Sequence, residues 1–204
     1  MALLKDLHFS AINGLRILIV GNVGSGKTAL TARLLDEAVA AIEPAKITVM
    51  DMAPKRQQFK GFMVGGSLTD YLRNSQDLRF LVPVRKLHAP RIEGHSLEEV
   101  LHLARTNATI IEEMLKAFLR DPTSVLFAND VSMYLQAGDA STLLKTVAVA
   151  NTFVGNSYCG LTLEDDRQSG LSERERSGLA ALKSAMDKVL NLSPAGPSAE
   201  TIWK

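Results

Sequence analysis

Residues suited to holding phosphate are concentrated in one run of eight: Gly21-Asn22-Val23-Gly24-Ser25-Gly26-Lys27-Thr28. Glycines let a backbone turn tightly enough to point several N–H groups at a single anion. A lysine placed after them reaches the β- and γ-phosphates, and the threonine hydroxyl next to it ligates Mg2+. The spacing G-x-x-x-x-G-K-[ST] is complete. An apolar, β-rich run, RILIV at 16–20, leads into the loop, and Leu30, Leu34, Ala38 and Ile42 follow it at helical spacing. A glycine turn carrying Lys and Thr by accident would not come with that strand-turn-helix setting. The positive end of the helix beginning near Lys27 adds to the anion's attraction. All eight residues are therefore expected to bind a nucleoside triphosphate, with Lys27 also acting in catalysis and Thr28 in metal binding.

A magnesium ion held this way needs an acid at the end of a neighbouring strand, reached directly or through water. SVLFAND, 124 to 130, offers Asp130, with Asn129 in the more immediate position after the strand; Asp130 is favoured because it alone is charged. The competing reading is a plain strand-end turn, where Asn-Asp is common. KITVMD, 46 to 51, ends in a second acid. Asp51 is expected either to act on the attacking water, polarising it or orienting Mg2+ through it, from a strand lying beside the phosphate-loop strand, or to cap its own turn.

The elements that must position these groups read as strands alternating with helices. After the second strand come a glycine-bearing loop, KGFMVGGS, and a short helix from Ser67. LRFLVPVRKLHA supplies one or two short strands, at least one of them kept at an edge or bend by Pro83. Ser96 with Glu99 forms a capping box for a long helix whose apolar face runs from Leu97 to Phe118, stopped by Asp121-Pro122. The uncharged stretch 146–163 reads as a buried helix and turn. A second capping box, Ser172 with Glu175, opens a last helix that carries Leu179, Leu182, Met186 and Val189 on one face. The expectation is an α/β protein with a mostly parallel central sheet wrapped by helices on both faces. Residues 1–192 are read as a single nucleotide-binding domain and 193–204 as a loose tail.

Composition narrows the function classes. With 46% hydrophobic and 22% charged residues and a net charge of +1, nothing in the bulk composition recruits nucleic acid or an anionic membrane. One cysteine, Cys159, excludes an internal disulfide and fits a cytoplasmic setting. Polar residues break the one apolar run that nears membrane-spanning length.

On the residues 21–28, with weaker support at 51 and 130, the chain resembles the P-loop NTPase superfamily. That resemblance implies a three-layer fold, a Mg2+-nucleotide at the C-terminal ends of the strands, and hydrolysis or phosphoryl transfer. The acid at Asp51 is similar to that of the partition- and septum-positioning ATPases, although Asn22 stands where those proteins carry a second lysine, so a dimer mechanism built on that lysine does not carry over. Transporter ATPases share the rhythm of the N-terminal segment, but their metal-binding strand follows a signature helix, and nothing after residue 190 reads as a strand with an acid. Val131 follows Asp130 where motor-type ATPases have a glutamate. No N-K-x-D stretch is present, which favours ATP over GTP.

Two functions follow. One is a switch or accessory NTPase, hydrolysing nucleotide to change its affinity for a protein partner or within a homodimer. The other is a small-molecule kinase passing the γ-phosphate to a bound acceptor. Arg167, Arg174 and Arg176 are candidates to close over phosphates, or simply belong to a solvated, mixed-charge helix start.

Overall fold

The computed structural model describes residues 7–72 and 77–192. Six strands form one sheet: β1 (Arg16–Gly21), β2 (Ile47–Asp51), β5 (Arg79–Leu81), β6 (Val125–Asn129), β7 (Thr152–Tyr158) and β8 (Lys188–Leu192). Their order is β5-β2-β6-β7-β1-β8 and every pairing is parallel. Parallel strands need crossovers that cover both faces. Here α1 (Lys27–Ala41) lies on one face, and α3 (Leu97–Arg120), α4 (Ser132–Leu135), α5 (Ala140–Val149) and α6 (Leu171–Ser184) lie on the other.

Side-chain alternation assigns the two cores. Ile17, Ile19, Val125, Phe127 and Val154 pack with Leu30, Leu34 and Leu35 of α1 and with Phe9 and Ile12. Their strand neighbours Leu18, Val20, Leu126, Ala128 and Phe153 pack with Ile111, Leu115 and Phe118 of α3 and Leu179 and Leu182 of α6. Each such side chain contributes roughly 1.5–3 kcal/mol when fully buried. A one-residue slip in any central strand would exchange its two sets, so the register is firmly fixed. The architecture is the three-layer α/β fold with a parallel central sheet that the sequence implied.

Four readings change. Residues 152–158 form the buried strand β7, not part of a helix and turn, and this strand separates β1 from β6. Consequently β2 lies between β5 and β6, and the strand bearing Asp51 does not flank the phosphate-loop strand. The glycine-bearing loop is a hairpin of β3 (Gln57–Phe59) and β4 (Phe62–Val64), turned by Lys60 and Gly61, both at positive φ. That is the geometry two-residue hairpins favour.

Finally, α6 begins after Gly170 in the left-handed conformation, and Ser172 and Glu175 form no capping box. Met186 and Val189 leave that helix, and Val189 lies in edge strand β8. The Ser96 cap of α3 holds, with its hydroxyl accepting from Glu99 N at 3.2 Å, but the Glu99 carboxylate takes the N–H of His95 rather than that of Ser96. The short turn capped by Ser67 (Leu68–Asp70) and the edge position of β5 agree with the sequence reading. The segment 193–204 lies outside the described residues.

Candidate nucleotide site

Loop 21–28 leaves the C-terminal end of β1 and enters α1, as its sequence pattern requires. Gly24 and Gly26 have φ of 70° and 85°, which only glycine adopts without strain. Gly21 is needed for space: a Cβ there would stand 2.5 Å from Ser25 Oγ and 2.8 Å from the Leu192 carbonyl of β8. Val23 N donates to Asn22 Oδ1 at 2.8 Å and Ser25 N to Asn22 O at 3.3 Å. Among the described residues, the N–H groups of Gly24 and Gly26 have no protein acceptor. The first-turn amides of α1 likewise lie beyond any intrahelical partner. The loop thus presents a set of unpaired backbone donors.

Lys27 closes that set. Its Nζ donates to the Asn22 carbonyl at 2.7 Å and approaches Ser25 Oγ at 3.5 Å. Burial lowers its pKa from 10.5 to about 8, with Asp130 and then Cys159 pulling the other way. A cation held among donors and one carbonyl is undercompensated, and an anion in the loop would compensate it. The residues therefore fit a bound polyphosphate.

A row of polar side chains crosses the sheet behind the loop. Asn129, the last residue of β6, stands opposite Asp51 in the register. Its amide donates to Asp51 Oδ1 at 2.7 Å and to the Gly66 carbonyl at 3.0 Å. Its oxygen accepts from Asn156 Nδ2 at 2.9 Å and lies 3.5 Å from the Thr28 hydroxyl. Asn156, from β7, also donates to Thr31 Oγ1 at 3.0 Å and accepts from Asp130 N at 3.0 Å. Both amides have their hydrogen-bonding capacity matched, as buried amides must.

The two acids differ in what remains free. Asp51 accepts from Asn129, from Leu68 N at 2.8 Å, from the Ser67 hydroxyl, and more distantly from Ala53 N at 3.4 Å. Both its oxygens thus serve the turn at 67–70 and the row of amides. Asp130 steps off the strand with φ 55°, and its Oδ1 accepts from the Ser132 hydroxyl. Among the described residues its other oxygen has no protein donor. Burial raises its pKa; the Ser132 hydrogen bond and the charge of Lys27 oppose that shift. The side chain within reach of the Thr28 hydroxyl is therefore Asn129, with Asp130 beside it as the carboxylate that has a lone pair to spare. No group of three or more His, Cys, Asp or Glu that could hold a metal ion unaided exists among the described residues.

The arginines singled out in sequence turn elsewhere. Arg167 pairs with Asp165, Arg176 with Glu173 at 2.8 Å, and Arg174 donates to the carbonyls of Ala137 and Gly138. The arginine near Asp130 is Arg91, which the sequence gave no reason to choose. It sits in the short helix α2 (Pro90–Glu93), buried, 3.0 Å from Glu175 and 5.9 Å above the Tyr158 ring. Arg91, Asp130 and Tyr158 line a cleft with Pro54, Val64 and Pro90. Cys159, exposed, donates its backbone N–H to the Gly21 carbonyl at 2.9 Å, next to the loop.

No family model matches the sequence, and no curated protein matches it. Among solved structures, the chain is similar to flagellar accessory protein FlaH from Methanocaldococcus jannaschii, at 12% identity over 88% of this chain and 71% of that one, with a TM-score of 0.49. It is also similar to Pif1 helicase from Candida albicans (11% identity, TM-score 0.38) and to the Hef helicase domain of Pyrococcus furiosus (14%, 0.41). In both cases 94% of this chain aligns, and it spans 38% of the helicase chain.

Proposed function

We propose that this chain binds a magnesium–nucleoside triphosphate, ATP in preference to GTP, at residues 21–28 and hydrolyses it as a switch-type NTPase acting on a protein partner. The observation that supports this reading most is the half-buried Lys27 ammonium, which rests on a backbone carbonyl among free loop amides. A β- or γ-phosphate entering the loop gives Lys27 an anionic partner in place of that carbonyl. Charge-assisted contacts of this kind are worth about 1.5–3 kcal/mol each.

The loop amides and Lys27 bind and orient the phosphates. Thr28 and Asp130 would hold the metal, which when bound neutralises phosphate charge and polarises the bond to be broken. Asn129 holds the Thr28 hydroxyl from behind. Asp51, assigned to catalysis in the sequence reading, acts here as a positioning residue, because its oxygens already accept from Asn129, Ser67 and Leu68.

The cleft beside Asp130 favours the second reading, a kinase, since an acceptor could enter there. No helix among the described residues is long and apolar enough to cross a membrane. A cytoplasmic site of action suits the lone thiol.

Incubating the protein with Mg-ATP or Mg-GTP alone, and following phosphate and nucleotide products, tests the proposal. Phosphate release that Lys27→Ala abolishes supports the switch. Tight binding without release points to a kinase or to an NTPase whose turnover needs its partner. Failure to bind either nucleotide overturns both.

A further inference from the structure

We infer that the hairpin β3–β4, with the basic residues around it, is a binding surface for single-stranded nucleic acid. Charge is segregated along this chain. The 32 residues from 55 to 86 hold seven Lys or Arg against two acids, a net of +5, while the whole chain is +1, leaving −4 for the remainder. The overall balance conceals this local field.

The structure shows what the segment does with its charges. Lys55, Arg56, Lys60, Arg85 and Lys86 are all exposed. Among them stand apolar groups left open to solvent: Phe62 at 47% exposure, Met63 at 52% and Tyr71 at 44%. The hairpin strands pair only with each other, with Phe59 directly opposite Phe62 on one face. The Arg56 guanidinium lies 5.1 Å over the Tyr71 ring and Lys60 Nζ 5.2 Å over Phe59. Gln57 reaches Glu93 at 3.5 Å and Lys86 reaches it at 3.1 Å, which brings the 85–86 pair to the foot of the hairpin.

Cations alone would suit any acidic partner. The rings interleaved with them, Phe62 open to solvent and Tyr71 and Phe59 each beneath a cation, suit a partner that is anionic along its backbone and flat-faced at its side groups. Single-stranded nucleic acid has both properties, since its phosphates meet the cations and its bases stack on the rings. A regular duplex hides its base faces and would use only the charges. An acidic peptide meets the cations but carries no regular series of flat faces to stack on the rings. This inference does not depend on the proposed nucleotide chemistry.

The test is fluorescence anisotropy of end-labelled (dT)20 and (rU)20 with the full chain, without nucleotide. Micromolar binding at 50 mM salt is expected. With up to five phosphates neutralised, it should weaken by as much as about a hundredfold at 200 mM. Phe62→Ala, which removes a ring and no charge, should weaken binding by about fivefold or more. Lys60→Glu with Arg85→Glu should weaken it further, whereas Lys145→Glu on α5 should not. Thermal melting of each variant shows whether a loss comes from unfolding. The inference is overturned by absence of binding to either strand at low salt, by equal competition from a duplex of the same length or from polyglutamate, or by insensitivity to Phe62→Ala in a folded variant. Competition by polyglutamate alone would identify an acidic protein surface as the partner instead.

Discussion

Lys27→Met keeps the length of the side chain and removes its charge, so it separates the energetic burden of the ammonium from its use. Burial lowers the pKa of Lys27 from 10.5 to about 8. At about 1.4 kcal/mol per pKa unit, the charged form is disfavoured in the ligand-free fold by on the order of 3 kcal/mol. The carbonyl that Lys27 leaves is not orphaned, because Asn22 O also accepts from Ser25 N.

The methionine variant should therefore be more stable than the wild type below pH 8, by about 1–3 kcal/mol, while losing nucleotide affinity. The sign with pH follows from the depressed folded pKa. The wild type carries the full penalty while Lys27 is charged in both folded and unfolded states. Between pH 8 and 10.5 only the unfolded chain holds the proton, so the wild type gains on the variant, and above 10.5 the gap closes. Urea unfolding of both proteins at pH 7, 9 and 10.5, with calorimetric titration of Mg-ATP at pH 7, measures each part. A variant no more stable than wild type at pH 7, or a gap that persists unchanged at pH 10.5, would refute the account of Lys27 as an undercompensated cation awaiting phosphate.

Asn129→Ala should lower unfolding stability by about 2–4 kcal/mol in urea, because it strands partners on Asp51, Gly66 and Asn156 at once. Asp130→Asn should leave stability within about 1 kcal/mol and weaken the magnesium dependence of nucleotide binding, read by titration with and without EDTA. For Asp51→Asn the expectation is a loss of about 1–3 kcal/mol with unchanged turnover per folded molecule. A large fall in that corrected turnover would restore Asp51 to the chemistry. Gly21→Ala drives a Cβ against Ser25 and the Leu192 carbonyl, so melting temperature and nucleotide affinity should fall together.

What sequence alone disclosed follows from how local each signal is. The phosphate loop, β1, β2, β6 and α3 announce themselves through spacing within a few residues. β7 does not. Thr152, Asn156 and Ser157 interrupt its apolar run, and they read as breaks in a pattern. In three dimensions those polar residues are why the strand sits where it does, since Asn156 supports Asn129, Asp130 and Thr31 from the middle of the sheet. With β7 hidden, local patterns leave the strand order open and set Asp51 beside the phosphate loop.

Glu175 misled in a similar way. Its position three residues after Ser172 imitates a cap, but its carboxylate is buried against Arg91 and Gln136, partners 84 and 39 residues away. Arg91 had no local mark at all. A buried ion pair is specified by packing between α2 and α6, which no short window contains.

The hairpin departs from the sheet and returns to it at almost one point. Gly66 N meets the Pro54 carbonyl at 3.0 Å, and Asp51 and Asn129 grip the chain just beyond, at Ser67 and Gly66. A segment closed at such a neck can change length without moving the ends that join it to the strands below. Doubling its length would cost only about 0.6 kcal/mol in closure entropy. The hairpin surface is thus exchangeable in length and chemistry, while the parallel strands and the phosphate loop behind the neck stay as they are.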